Sequence, residues 1–553
     1  MTTHAPAEPL ADEAAPSARR ELRRGVSEDE ARGAGAHSRR TWIWGSLFAL
    51  WALAVLVFWA FEALPFMDLP AHAGLIALRH RFEVSPFDQD YFVLASRLGP
   101  YSLFRFLGEA FHRVLGPVGA VRALGTLPVL ATPAALYFAR KRLHGDGSPT
   151  TIFLGIALSF GLMTLLGFAS YLLGLVVMLV VLTVWFELMA VVDEGARTFA
   201  KEAWLAVGAV FLFVAHGHAF VLGLGLMSVA TLLGARGTER RRIARVRVFV
   251  PALLLSSYVA WTTRLGSLPQ GSAPLPEVAL NPVFEGPLEK LALLVTTTMT
   301  TRTGLDVLAG LLLWALVLTG AWRTARATFG PRGAEMQDGA AARERHARTL
   351  LLLAALTFVV FAALPHSIGW FGFVDGRLVP LILFLLVMAY GEGRAPRSMR
   401  VGAPLAALLV VGLALAGSYR FQHEARGFKE VLAHVPAGAR LLNLPIDPNS
   451  DVFTAHPFIH YDKLVLTERP IVVSDVWFHQ GTALYPTEKN PALRLPKTYS
   501  ESNLVRIDWP EYRLADWTHV LIRTRPEGAP GPLPDALRLA AHEGGWWLYE
   551  TAR

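Results

Sequence analysis

Apolar runs of roughly 16 to 24 residues recur along most of the chain, and the charge gathers in the connectors between them. That length matches the ~20 residues a helix needs to cross ~30 Å of hydrocarbon. The runs do not alternate and are too long for barrel strands, so a closed membrane barrel is excluded. They predict about eleven transmembrane helices, over residues 41–64, 118–140, 150–169, 171–192, 203–217, 219–234, 246–263, 304–322, 349–365, 377–391 and 401–419. The two short runs that meet at Gly217-His218 read equally as two crossings or as a re-entrant pair. Either way the chain returns to the same side.

Charge then gives these helices a direction. With the N-terminus in the cytoplasm, the basic connectors Arg140-Lys141-Arg142, Arg197 with Lys201, Arg240-Arg241-Arg242 with Arg245 and Arg247, the Arg323 to Arg348 loop, and Arg394, Arg397 and Arg400 all fall on one side. The outer side receives the large loop 65–117, turns near Ser170 and His218, the loop from about 265 to 303, the short loop 366–376, and everything after about 420. Residues 1–40 carry Arg19, Arg20, Arg23, Arg24, Arg39 and Arg40 and read as a disordered basic cytoplasmic tail ahead of an uncleaved anchor. After Tyr419 the polarity becomes ordinary. Residues 421–553 predict a small extracytoplasmic α/β domain, with a helix over 428–434 and strands over 439–445, 464–466, 471–474, 519–523 and 546–550.

The resulting fold class is a polytopic α-helical membrane protein, helical over 41–420, with a C-terminal α/β domain. Composition agrees: only 17% of residues are charged, too few for a soluble protein of 553 residues with ordinary cores. The formal net charge of +8 reports topology, because its arginines lie in the connectors, and it does not point to nucleic acid. The chain has no cysteine, which excludes disulfides, thiolate metal sites and thiol nucleophiles. Neither a GxxxxGK[ST] loop nor a strand-GxGxxG-helix pattern occurs, which argues against ATP-driven transport by this chain alone.

Candidate chemistry concentrates where helices end on the outer side. In Phe66-Met67-Asp68-Leu69-Pro70-Ala71-His72, directly after the first span, Asp68 and His72 are four apart and share a face if residues 69–83 are helical. A carboxylate there can act as a general base, and an Asp/His pair can hold a divalent cation; Asp68 can equally be a helix N-cap. In Phe87-Asp88-Gln89-Asp90-Tyr91, Asp88 and Asp90 are sugar or cation ligands, or a solvated turn. His216 and His218 flank Gly217 at the outer end of a helix, lining a polar cavity, binding a metal or simply meeting water. His366, Trp370, Asp375 and Arg377 lie in or next to the loop 366–376. An arginine opening a helix from the outer side runs against the inside bias and suits a phosphate or pyrophosphate group, the alternatives being an Asp375–Arg377 ion pair or snorkelling. Thr296 to Arg302 reads as a polar helix entrance or a cover over bound lipid. In the C-terminal domain His456, His460, Tyr461, Asp475, Trp477 and His479 are glycan-binding candidates, although such residues occur scattered in any folded domain.

This arrangement resembles the GT-C class of polytopic glycosyltransferases. The likeness lies in an inside N-terminus, one helix, a large first outer loop opening with Asp-x-Pro-x-His at Asp68 to His72, a Gly-Phe-x-x-Tyr-Leu-Leu-Gly-Leu stretch at Gly167 to Leu175, and an Arg-x-x-Pro helix start at Arg377 to Pro380. It covers roughly residues 40 to 420. The resemblance implies sugar transfer from a polyprenyl-phosphate donor to a lipid or glycan hydroxyl at the outer face, with Asp68 as catalytic base. The chain lacks the Asp-Glu pair of protein O-mannosyltransferase-like members and the Trp-Trp-Asp signature of oligosaccharyltransferases, which leaves the acceptor and any metal requirement open. A lipid-linked sugar flippase or export component and a non-catalytic scaffold are the competing readings.

Overall fold

The computed structural model describes residues 41–95, 98–145, 147–193, 198–233, 246–265, 269–274, 280–330, 338–369, 371–390, 396–477, 483–501 and 507–552. The basic tail 1–40 and Arg197, Arg240, Arg241, Arg242, Arg245, Trp370, Arg394 and His479 lie outside them. The chain divides into two compact units, 1–50 and 51–553. The first contributes only the opening turns of an apolar helix, and all the other described elements belong to the second.

Among the described residues six helices are long and apolar enough to cross a membrane: Thr41–Trp59, Ser102–His144, Ala169–Ala190, Gly304–Phe329, Ala341–Ala363 and Arg397–Glu424. Pro149–Leu158, Gly217–Leu233, Val246–Thr262 and Leu378–Met388 are shorter apolar helices. The protein is an integral membrane protein, and its surface agrees: Leu254, Trp261, Leu308, Val359 and Leu408 are all exposed, side chains whose solvent is hydrocarbon.

Several expected helix extents change, two of them near the helix that follows Asp68. The span read as 118–140 is the second portion of a 43-residue helix, Ser102–His144, interrupted where Gly116 takes φ 72° and Pro117 follows. At ~1.5 Å per residue such a helix is about twice as long as a bilayer is thick. The portion before Gly116 therefore belongs to the 65–117 connector, which also contains the helices Leu69–Arg81 and Pro86–Tyr91. The run 150–169 is not one helix. It stops at Leu158 and resumes as the four-residue turn Leu162–Leu165, because the backbone turns aside to pair with the Thr297 segment. Leu162 N–H donates to the Thr297 carbonyl at 3.0 Å, and a Cβ on Gly161 would lie 2.4 Å from that oxygen.

The helices alternate in direction so that ionic connectors collect at one end. Arg142 and Lys201 both reach Glu187, and Arg247 pairs with Glu202 at 2.8 Å. The opposite end receives Tyr101, Gly167, His216, Thr262 and Arg377.

Residues 421–552 include a five-stranded mixed sheet: β1 Arg440–Pro445, β2 Val472–Val473, β3 His519–Arg523, β4 Leu537–Glu543 and β5 Trp546–Thr551, in the order β2-β1-β3-β5-β4. β1 runs parallel to β2 and β3, while β5 is antiparallel to β3 and β4. Alternate side chains Leu442, Leu444, Val520, Ile522 and Tyr549 bury one face with Trp517. The strand expected at 464–466 is instead the end of a 3-10 segment, Pro457–Thr467. Its apolar Val465 and Leu466 are buried by packing on helix Leu69–Arg81 and not by strand pairing. Gly74 permits that approach, since a Cβ there would sit 2.6 Å from the Lys463 carbonyl. The segment Pro457–Thr467 is thereby seated directly on the helix that follows Asp68.

Candidate active site

Asp68 occupies the N-cap position of helix Leu69–Arg81, with Pro70 in the first turn, where a missing N–H costs nothing. Its side chain makes no capping hydrogen bond, so the carboxylate is not spent on the helix. The backbone beneath it is fixed instead: Met67 and Asp68 N–H donate to the Leu165 and Leu166 carbonyls at 2.9 and 3.2 Å. Gly167 closes this contact with φ 75°, and a Cβ there would stand 2.9 Å from the Asp68 nitrogen. Four residues on, the Tyr171 hydroxyl donates to the Arg377 carbonyl. Residues Leu165 to Tyr171 thus hold both Asp68 and Arg377 by their backbones.

Both side chains open into one cavity of about 690 Å³, which is also lined by His72, Tyr101, Phe104, His216, Phe371, His460 and Trp477. Burial pushes the Asp68 carboxyl up to about 7, against the opposing pull of His460 and Arg377. A base poised near neutrality suits proton removal from a hydroxyl. Arg377 is packed against aromatic faces, 3.9 Å from the centroid of Phe371 and 4.6 Å from that of Phe168. Its Nη2 donates to the Gly372 carbonyl at 3.2 Å, while its buried Nε has no hydrogen-bond partner. Among the described residues no carboxylate forms an ion pair with it, and the Asp375–Arg377 pair allowed by the sequence does not form. A desolvated guanidinium in that state favours an anion in front of it.

His456, Ile459, His460 and Trp477, all beyond the last long helix, line the cavity as well. His460 Nε2 lies 3.7 Å from Asp68 Oδ1, and its Nδ1 lies 3.0 Å from Glu501 Oε2. Glu501 accepts from Lys463 Nζ at 2.6 Å on both oxygens, and its Oε1 also accepts from Asn443 Nδ2 and the Tyr499 hydroxyl. Burial works to raise Glu501, but Lys463 and His460 outweigh it and hold the carboxyl down to about 2. Sequence reasoning gave His460 only a generic glycan role and missed Glu501 and Lys463. The one available signal was the charged run His460 to Lys463 inside an otherwise apolar stretch.

The remaining sequence candidates separate by whether they reach the cavity. His72 lines it, with its ring against Phe104 and Trp477 at 4.6 and 5.0 Å between centroids, and His216 lines it beside Tyr101 and Tyr171. His218 stacks on Tyr171 without being part of the lining. Asp375 and His366 form a separate cluster, in which Asp375 meets Lys290 at 2.5 Å and His366 at 3.0 Å. Asp88 is buried against Arg81 at 2.7 Å, and Asp90 pairs with Lys489 at 2.6 Å on the surface. These four acids and bases have partners of their own and do not line the cavity. Thr300 and Thr301 turn to Asp306, the polar entrance of helix Gly304–Phe329. Among the described residues no group of three or more His, Asp or Glu side chains is arranged to hold a metal ion, so the Asp68/His72 pair lacks a third ligand of this kind.

No family model matches the sequence, and a search of curated proteins finds no match. Solved structures do resemble it. ArnT from Cupriavidus metallidurans, determined with undecaprenyl phosphate bound, superposes with a TM-score of 0.51 at 12% identity, covering 93% of this chain and 98% of ArnT. The chain has the GT-C glycosyltransferase fold. Two further solved structures resemble the chain at lower TM-scores. The arabinofuranosyltransferase AftD from Mycobacteria has a TM-score of 0.49 at 15% identity, covering 92% of this chain but only 40% of its own length. The oligosaccharyltransferase of Archaeoglobus fulgidus has a TM-score of 0.44 at 10% identity, covering 87% of this chain and 69% of its own.

Proposed function

We propose that the protein is a cell-membrane glycosyltransferase that moves a sugar from a polyprenyl-phosphate donor to a lipid or glycan hydroxyl at the outer face. The observation that carries this reading is a buried, cap-free carboxylate, Asp68, opening into the same cavity as an arginine that has no carboxylate partner among the described residues, Arg377. Asp68 removes the proton of the acceptor hydroxyl as its oxygen attacks the anomeric carbon. The bond from that carbon to the phosphate oxygen breaks with inversion, and Arg377 stabilises the negative charge that builds on the phosphate. His72 orients the acceptor against the aromatic wall.

Undecaprenyl phosphate bound to ArnT supports a lipid phosphate as the donor's leaving group. The outer placement is supported by the segregation of charge: the ionic connectors gather at the helix ends opposite the cavity, as expected for a cytoplasmic side. The C-terminal domain then stands outside, over the reacting centre.

The test is reconstitution of the full-length protein in vesicles with a panel of undecaprenyl-phosphate-linked pentoses and hexoses and a crude envelope acceptor fraction. Consumption of one donor, with release of undecaprenyl phosphate and labelling of the acceptor, is the expected result. Movement of the labelled donor between leaflets without its consumption contradicts the proposal and favours transport.

A further inference from the structure

The transfer reading uses Asp68 and Arg377 but leaves the polar network of the C-terminal domain without a task. That network is unusual in its depth. His460, Asp462, Lys463 and Glu501 are all buried, and a domain needing only to fold gains little by burying four ionisable groups together. Their hydrogen bonds have a direction. Glu501 is ionised and can only accept, so the ring nitrogen facing it, His460 Nδ1 at 3.0 Å, must carry the proton. Lys463, Asn443 and Tyr499 fill the other acceptor positions of Glu501 and keep it from turning away. In neutral His460 the free lone pair is then on Nε2, the atom 3.7 Å from Asp68 Oδ1 on the cavity wall. Trp477 lies edge-on to the ring, 5.0 Å from His72 and 5.1 Å from His460 between centroids, and limits its rotation.

We propose that the C-terminal domain completes the catalytic site through His460, a positioning residue that Glu501 fixes with Nδ1 protonated and Nε2 turned to Asp68, where it takes on the proton Asp68 removes from the acceptor. This rests on the transfer reading above. The proton passes from the acceptor hydroxyl to the Asp68 carboxylate and then to His460 Nε2, leaving an imidazolium between two carboxylates. The electron pair of the broken carbon–oxygen bond stays on the phosphate. Solvent in the cavity takes the proton from Nε2 afterwards, which restores Asp68 as a base for the next turnover. A gap of 3.7 Å is longer than a hydrogen bond and is one that an occupied cavity can close. The charged groups around His460 are Asp68 from the connector, Asp475 and Glu501 from the domain's loops, and Asp462 and Lys463 from its own segment, with Arg377 acting on Asp68.

The test combines a spectroscopic and a kinetic readout on the full-length protein in lipid bilayers. With 15N-labelled histidine at pH 8, the resonances lost in His460→Gln report Nδ1–H with unprotonated Nε2 in the parent, and Glu501→Gln redistributes them. In the transfer assay with the undecaprenyl-phosphate-linked sugars, His460→Gln and Glu501→Gln each lower kcat by about 100-fold with donor KM within about threefold, and each shifts the pH–rate profile. A parent His460 protonated on Nε2 and bare on Nδ1 at pH 8 overturns the proposal, and this needs no variant to fold. So does His460→Gln with the parent's kcat and profile. If Asp68→Asn itself transfers at the parent rate, the reading of the cavity as a transfer site fails instead, whatever the histidine spectrum shows.

Discussion

Asp68 sits where a folded protein would ordinarily place a neutral side chain. Its carboxyl is pushed up to about 7 from an ordinary 3.8, so ionising it is harder in the fold than in the unfolded chain. The sign follows from linkage: a raised pKa contributes stability at pH below 3.8, and this is lost as the pH rises through 7. Asparagine has nothing to lose over that interval. Asp68→Asn is therefore expected to raise the apparent thermal midpoint, with the gap over the parent widening from pH 5 to pH 8 in a thermal-shift series. A gap that is constant across that range means that the carboxyl is not the strained group. The residues that share its cavity were legible in the sequence to the extent that they end helices: Asp68, His72, His216 and Arg377 each terminate or open an apolar run. Asp88, Asp90, His366 and Asp375 looked the same. What set them apart was a partner the pattern does not reveal, Arg81 at 7 residues, Lys489 at 399 and Lys290 at 85 residues of separation.

At the scale of elements, the decisive feature is the junction between the Asp68 turn and the break ahead of helix Ala169–Asp193. Hydropathy reads residues 150–169 as a single run because it weighs side chains and cannot see a backbone leaving its helix to pair with Thr297. The same blindness turned the 3-10 segment Pro457–Thr467 into an expected strand, since burial against a helix and burial in a sheet leave the same apolar trace in a short stretch. Helix ends elsewhere shift as well: the run read as 304–322 continues to Phe329, and the one read as 349–365 begins at Asp338. Gly167 is the test of this contact. Alanine there would have to hold φ 75° and would place its Cβ 2.9 Å from the Asp68 nitrogen. Gly167→Ala is expected to cost about 1–2 kcal/mol in backbone strain alone. It should also lower the transfer rate tenfold or more by displacing Asp68. Gly412→Ala, in a helix with nothing within 4 Å of the new methyl, serves as the control and is expected to leave both unchanged or slightly improved. Equal behaviour of the two variants in thermal and transfer assays would remove the structural role given to Gly167.

For the whole molecule, the helices sort chemistry by end. Arg142, Lys201 and Arg247 meet Glu187 and Glu202 at one end, while at the other the buried carboxyl of Asp68, the desolvated Arg377 and residues His456, His460 and Trp477 converge on one cavity. The GT-C fold explains why such distant segments meet, and the side chains at the meeting point carry the functional claim. The measurement that bears on it most directly is transfer by the purified, reconstituted parent and its Asp68→Asn variant, with undecaprenyl phosphate binding measured on both. The account predicts a fall in rate of about 100-fold or more with lipid phosphate affinity within about threefold, since Asp68 handles the acceptor's proton and Arg377 holds the phosphate. An Asp68→Asn protein that transfers within threefold of the parent contradicts it.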